Sequence, residues 1–191
     1  MKKIVLIAAI ISSSVMLQGC VAAVVGMGAG ATKVATDPRT TGTQVDDTTL
    51  DSKIGIKLKD EGDYFKGSRV VASSYNGNVL LTGQAASQAV IDKAVSIVES
   101  VDGVKKLYNQ MRISDTVGAL TITDDAWITT KVKSALVANK DTKARDIKVI
   151  TENGEVFLLG IVTPTDGRLA ADIASKVSGV RLVTTIFTYS E

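Results

Sequence analysis

NGNVLLTG, residues 76–83, returns later in the chain as NGEVFLLG, residues 153–160. The offset is 77. LDSKI at 50–54 aligns with ITTKV at 128–132 at an offset of 78, and VDGV at 101–104 aligns with VSGV at 177–180 at an offset of 76. Ordered matches at a nearly constant spacing indicate a tandem duplication. Two copies of about 68 residues are too few to stack as a solenoid, so they describe two small domains.

Both copies follow one order. An amphipathic helix is predicted first, from about Thr49 to Lys59 and from Trp127 to Ala138. Asp46-Asp47 and Asp124-Asp125 stand at the predicted helix starts, where carboxylates cap free amides and meet the positive end of the dipole. A strand follows in each, about Arg69–Tyr75 and Asp146–Thr151, and ends on Asn-Gly. Asn-Gly suits a type I′ hairpin, so a second antiparallel strand follows and runs to Gly83 or Gly160. A second helix, about Ser87–Ser100 and Pro164–Val177, and a last strand, about Lys106–Ile113 and Arg181–Tyr189, complete the unit. The resulting fold class is α+β: tandem αββαβ domains, each a small three-stranded sheet covered by two helices. The predicted domains span 46–113 and 124–191, with 114–123 as linker.

Val79, Leu81 and Gly83 followed by Val101, Gly103 and Val104 form V-x-L-x-G and V-x-G-V in copy one. Val156, Leu158, Gly160, Val177, Gly179 and Val180 form them in copy two. This combination resembles the BON domain. The resemblance implies a non-catalytic module that binds phospholipid or a periplasmic surface.

The N-terminus supports an envelope location. Met1-Lys2-Lys3 is a basic start, Ile4–Met16 is apolar, and Leu17-Gln18-Gly19-Cys20 follows. The apolar run is too short to span a bilayer comfortably and fits a secretory signal over 1–19. A small residue directly before Cys20, with Leu three residues before it, resembles a bacterial lipobox, which implies lipidation of Cys20. Several acyl chains anchor far more firmly than one, at roughly 0.8 kcal/mol per buried methylene. Val21, not Asp, follows the cysteine, which implies the outer membrane, lipid-anchored and facing the periplasm. Residues 20–45 are rich in small residues and are expected to form a flexible tether reaching about 28 Å. Gly26, Gly28 and Gly30 lack the flanking strand and helix of a phosphate-binding loop. Together, the lipobox, ATDPRTTGTQVDD and the two copies resemble the dual BON-domain lipoproteins of the outer membrane.

Composition narrows the chemistry. The chain has 191 residues, 45% hydrophobic and 4% aromatic, which fits small aliphatic cores. It has no His, the commonest agent of acid–base catalysis at neutral pH. Its one Cys is the lipidation candidate, so the mature chain keeps no thiol for catalysis, disulfides or metals. No carboxylate pair or nucleophile–base set stands out, and the expectation is no enzyme, no cofactor and no metal. Loss of residues 1–19 leaves 20 of the 22 basic residues facing 20 acidic ones. A neutral protein gives no reason to expect nucleic-acid binding.

The duplication also supplies an internal control. Leu50, Ile54 and Leu58 match Ile128, Val132 and Leu136, a shared inward stripe at helical spacing. Trp127 matches Thr49, and Val137 matches Lys59: copy two is apolar where copy one is polar. At about 100° per residue, Trp127, Thr130, Ser134 and Val137 share the face opposite the stripe. Lys131 and Lys133 flank that face, and Lys140 follows the helix. Trp with an aliphatic neighbour and a lysine fringe is the composition of an interfacial membrane contact. These seven residues form the candidate site for an anionic, phosphatidylglycerol-type membrane. Two other uses of Trp127 stay open: packing between domains over Val117, Leu120 or Ile122, and anchoring an envelope protein partner, as an adaptor for an assembly machine would.

Overall fold

The structure is a computed structural model that describes residues 40–190. Cys20, the signal segment and the tether up to Arg39 lie outside the described residues.

Copy one comprises α1 (Thr41–Asp60), β1 (Arg69–Tyr75), β2 (Asn78–Ala85), α2 (Gln88–Glu99), β3 (Lys106–Asn109) and β4 (Arg112–Ile113). Copy two comprises α3 (Ala119–Ala138), a short 3-10 turn (Ala144–Asp146), β5 (Ile147–Glu152), β6 (Glu155–Val162), α4 (Pro164–Ser175) and β7 (Leu182–Tyr189). The fold is α+β with two small mixed sheets. In each, the hairpin strands pair antiparallel and the last strand pairs parallel to the central one. In copy one the last strand breaks in two at Gln110–Met111, and both halves pair with β2. The hairpins turn where Asn-Gly placed them, with left-handed φ at Asn76 (52°), Gly77 (78°), Asn153 (48°) and Gly154 (73°).

The first helices correct the sequence reading. Each begins eight residues earlier than expected. Five residues assigned to the tether, Thr41–Val45, are helical, and Thr40 caps them by accepting the Thr43 N–H at 3.1 Å. In the predicted linker only 114–118 stays outside helix; Ala119–Thr123 form the first turns of α3. Asp46-Asp47 and Asp124-Asp125 are therefore not helix starts. β-branched residues such as those of TGTQV and ALTIT weaken the helical signal.

Alternation along the central strands explains why both are buried on two sides. Val79 and Leu81 of β2 face a core with Leu50, Ile54, Ile91 and Val98 from the helices. Val156 and Leu158 of β6 face the equivalent core with Ile128, Val132, Leu136 and Ala170. The intervening residues point the other way. There Leu80 and Tyr75 of copy one meet Phe157, Leu159 and Ile186 of copy two. The sheets thus pack through the faces their own helices leave bare. Polar contacts rim this seam: the Tyr75 hydroxyl donates to the Asp146 carbonyl at 3.0 Å. Gln84 Nε2 donates to Glu152 Oε1 at 2.7 Å, and Arg69 Nη1 pairs with Glu152 Oε2 at 3.3 Å.

Candidate membrane-contact surface

Helix α3 is fixed by its inner face. Ile128, Val132 and Leu136 are buried in the copy-two core. One turn earlier, the buried Asp125 carboxylate accepts the N–H groups of Asn153 (2.6 Å) and Gly154 (2.7 Å), which caps the β5–β6 hairpin. Thr129 Oγ1 and Thr151 Oγ1 lie 2.7 Å apart. Copy one repeats the device: Asp47 accepts Asn76 N–H at 2.7 Å and Gly77 N–H at 2.9 Å. The second aspartate of each Asp-Asp pair serves the hairpin, not the helix end. The recurrence of Asp-Asp and Asn-Gly in both copies was the available signal.

The outer face is exposed. Trp127 is 64% and Val137 74% exposed, and Thr130, Lys133 and Ser134 join them. The extra turns of α3 add Leu120, 83% exposed, which the sequence reading left in the linker. Leu120, Thr123, Trp127, Thr130, Ser134 and Val137 share a stripe about 100° wide and about 26 Å long. The Thr123 and Thr130 hydroxyls donate to the Ala119 and Ala126 carbonyls, both at 3.0 Å. These back-bonds satisfy the hydroxyls within the helix, which lowers the cost of covering the stripe with apolar material.

The charges divide into two groups. Lys133 and Lys140 are exposed. The Lys131 ammonium donates to the Ser178 carbonyl in the turn after α4, so this lysine holds the helix to its neighbour. The Thr142 hydroxyl donates to the Leu136 carbonyl and Asn139 Oδ1 accepts from Asp141 N–H. The C-terminal end of α3 is thereby closed by neutral groups. Asp124 is an exposed acidic residue inside the helix, before Trp127.

The contact between copies runs through Tyr75, Leu80, Phe157, Leu159 and Ile186 and does not include Trp127. Val117 is tied instead by its N–H to Gln84 Oε1 at 3.3 Å. On α1 the stripe positions hold Gly42 for Leu120, Thr49 for Trp127 and Lys59 for Val137. At the positions of Thr123 and Ser134, α1 carries the exposed Val45 and Ile56, so copy one shows two separate aliphatic groups on this face but no aromatic residue and no continuous run from Leu120 through Trp127 to Val137. Among the described residues no group of three His, Cys, Asp or Glu could hold a metal, and no helix is long and apolar enough to cross a membrane.

A BON domain profile matches residues 46–115 and again 124–190. The chain is 49% identical over 183 residues, 96% of its length and 95% of the relative's, to the outer membrane lipoprotein DolP of Haemophilus influenzae. It is 40% identical over 153 residues to a protein of Actinobacillus pleuropneumoniae named 21 kDa hemolysin, covering 80% of this chain and 79% of the other. Osmotically-inducible protein Y of Escherichia coli is 29% identical over 154 residues, 79% of this chain and 76% of the other.

Proposed function

This chain belongs to the BON domain family, and on that premise we propose that it is an outer-membrane lipoprotein, anchored through acyl chains on Cys20 and facing the periplasm. The Haemophilus relative carries the name outer membrane lipoprotein, and Cys20 sits in a lipobox-like sequence. The protein binds anionic phospholipid through the outer face of α3, catalyses no reaction, and supports the integrity of the membrane that holds it.

The observation that carries this reading is the outward stripe of Leu120, Trp127 and Val137 in copy two, whose positions in copy one hold Gly42, Thr49 and Lys59. Covering three such side chains contributes on the order of 1.5–3 kcal/mol each when fully buried. Lys133 and Lys140 add roughly 1 kcal/mol each beside an anionic leaflet, less at high salt. Alone, this is a reversible contact. The anchor raises the local concentration of membrane, so the contact needs only to choose among lipid patches.

The test uses the mature chain with Cys20→Ser, which carries no acyl group. It is expected to co-sediment with phosphatidylglycerol-rich vesicles and far less with phosphatidylcholine vesicles. Trp127→Glu is expected to abolish the difference with the fold intact by circular dichroism. Undiminished binding by this variant would exclude α3 as the contact.

A further inference from the structure

Beside the outer stripe, α3 and the start of β5 enclose a groove of about 290 Å3. Its floor is apolar: Leu136, Ile147 and Val149 from the core, with Ala144 at one side. Val137, the last residue of the outer stripe, forms one edge, and Lys133 and Arg145 stand at the rim. Arg145 Nε lies 3.4 Å from Asp146 Oδ1, and its side chain stays 56% exposed. A volume near 300 Å3 is at the lower end of small-molecule sites, enough for a segment of one aliphatic chain and too small for a whole diacyl lipid.

Copy one has the same groove, lined by Gly55, Leu58, Lys59, Ser68, Val70 and Ala72 at the equivalent positions. Val70 and Ala72 give way to the bulkier Ile147 and Val149, and three further positions change in charge or polarity. Copy two has Lys133 for Gly55, Arg145 for Ser68 and Val137 for Lys59. The rim gains Lys133 and Arg145 and loses the copy-one Lys59, a net gain of one cation, and the edge that continues into the outer stripe becomes apolar. All three changes suit a ligand with an anionic head and an aliphatic chain.

We infer that this groove receives one acyl chain of an anionic phospholipid, with the phosphate held between Lys133 and Arg145. The inference rests on the reading of α3 as the membrane-contact face. Val137 belongs to both surfaces, so a lipid lying under the stripe needs to shift only one chain sideways to enter. The stripe then supplies contact with the leaflet, and the groove supplies preference for a lipid with a net negative head.

The experiment titrates the mature Cys20→Ser chain with dihexanoyl phosphatidylglycerol below the concentration at which it forms micelles, followed by amide NMR shifts. Saturable shifts are expected at Ala144, Ile147 and Val149. Dihexanoyl phosphatidylcholine, which lacks net charge, should bind about tenfold more weakly, as should Arg145→Glu in the glycerol lipid. Ala144→Trp, checked for native shift dispersion, should fill the groove and remove saturation. Shifts that never saturate, or that Arg145→Glu and Ala144→Trp leave as they were, overturn the inference. So does inorganic phosphate reproducing the full shift pattern, since the groove would then bind an anion without a chain. Vesicle co-sedimentation of the Trp127→Glu variant reports separately on the membrane reading. Loss of vesicle binding there, with no groove shifts from the monomeric lipid, sinks the groove and leaves the membrane face standing.

Discussion

The carboxylate of Asp125, in the middle of α3, accepts the backbone N–H of Gly154 at the tip of the β5–β6 hairpin at 2.7 Å. Its other oxygen takes the Asn153 N–H at 2.6 Å. A type I′ turn directs these amides away from the ladder, and burial would leave them costly. One buried side chain thereby solves two problems: it satisfies the turn and it fixes the rotation of α3. With the inner face pinned to the hairpin, Trp127 two residues later must point outward. The same link in copy one joins Asp47 to Gly77 at 2.9 Å, with Thr49 outward in place of Trp.

Asp125→Ala should therefore cost more than an ordinary helix substitution. Two charge-assisted hydrogen bonds are lost and two amides lose their partner, for about 3 kcal/mol. Asp47→Ala should act in the same direction. Urea unfolding followed by circular dichroism measures both, and a midpoint within error of the parent for either variant would contradict the assigned role.

Gly83 and Gly160 do not end the central strands, which run on to Ala85 and Val162, and they are under a different constraint. A Cβ on Gly83 would lie 1.9 Å from the Arg69 carbonyl oxygen, and one on Gly160 would lie 2.4 Å from that of Asp146. Both clashes are with backbone, that of β1 for Gly83 and that of the 3-10 turn leading into β5 for Gly160, and neither can rotate away as a side chain would. Gly83 also holds φ at 121°, outside the range open to other residues. Gly83→Ala and Gly160→Ala should each destabilise by about 3 kcal/mol or more, with loss of soluble yield as the first sign. A thermal midpoint equal to the parent's for Gly83→Ala would refute this.

The seam between the copies predicts a joint motion. Tyr75 reaches the Asp146 carbonyl across 71 residues of chain, and Glu152 gathers Gln84 and Arg69. Glu152→Ala leaves Arg69 and Gln84 without that acceptor, whereas Tyr75→Phe removes one hydrogen bond worth about 1 kcal/mol. The parent should tumble as one body in 15N relaxation, with equal correlation times for the two copies. Glu152→Ala should lower the unfolding midpoint more than Tyr75→Phe. Unequal correlation times in the parent would count against the seam.

How much of this was legible in the sequence depended on the kind of signal. The duplication, the Asn-Gly hairpins and the core stripe of Ile128, Val132 and Leu136 were readable because they are periodic or local. Repeat comparison also isolated Trp127 and Val137. The helix starts were missed because β-branched residues in TGTQV and ALTIT speak weakly for helix, and that hid Leu120 from the stripe. The Asp-Asp pairs were misread for the same reason: once the helix begins earlier, they sit inside it, and the second of each, Asp47 or Asp125, serves a partner about 28 residues away. The seam was invisible because Leu80 and Phe157 read as ordinary strand residues until both faces of the strands are known to be covered.

Exchanging stripe residues for their copy-one equivalents separates apolar from electrostatic attraction. Trp127→Thr removes a large side chain at no change in charge, and should weaken vesicle binding by about 2 kcal/mol or more, some thirtyfold. At Leu120 the copy-one residue is Gly42, which would weaken the helix itself, so Leu120→Ser serves there and should weaken binding about tenfold by the same reasoning. Val137→Lys is the sharper variant, because its two effects oppose. It adds a cation worth about 1 kcal/mol near an anionic surface, yet removes an aliphatic group whose burial contributes about 1.5 kcal/mol or more. If insertion of the stripe dominates, Val137→Lys binds phosphatidylglycerol vesicles more weakly than the parent, and its residual binding falls more steeply with added salt. Tighter binding by Val137→Lys would mean that charge alone holds the protein to the leaflet. The outward Trp127 would then need another explanation.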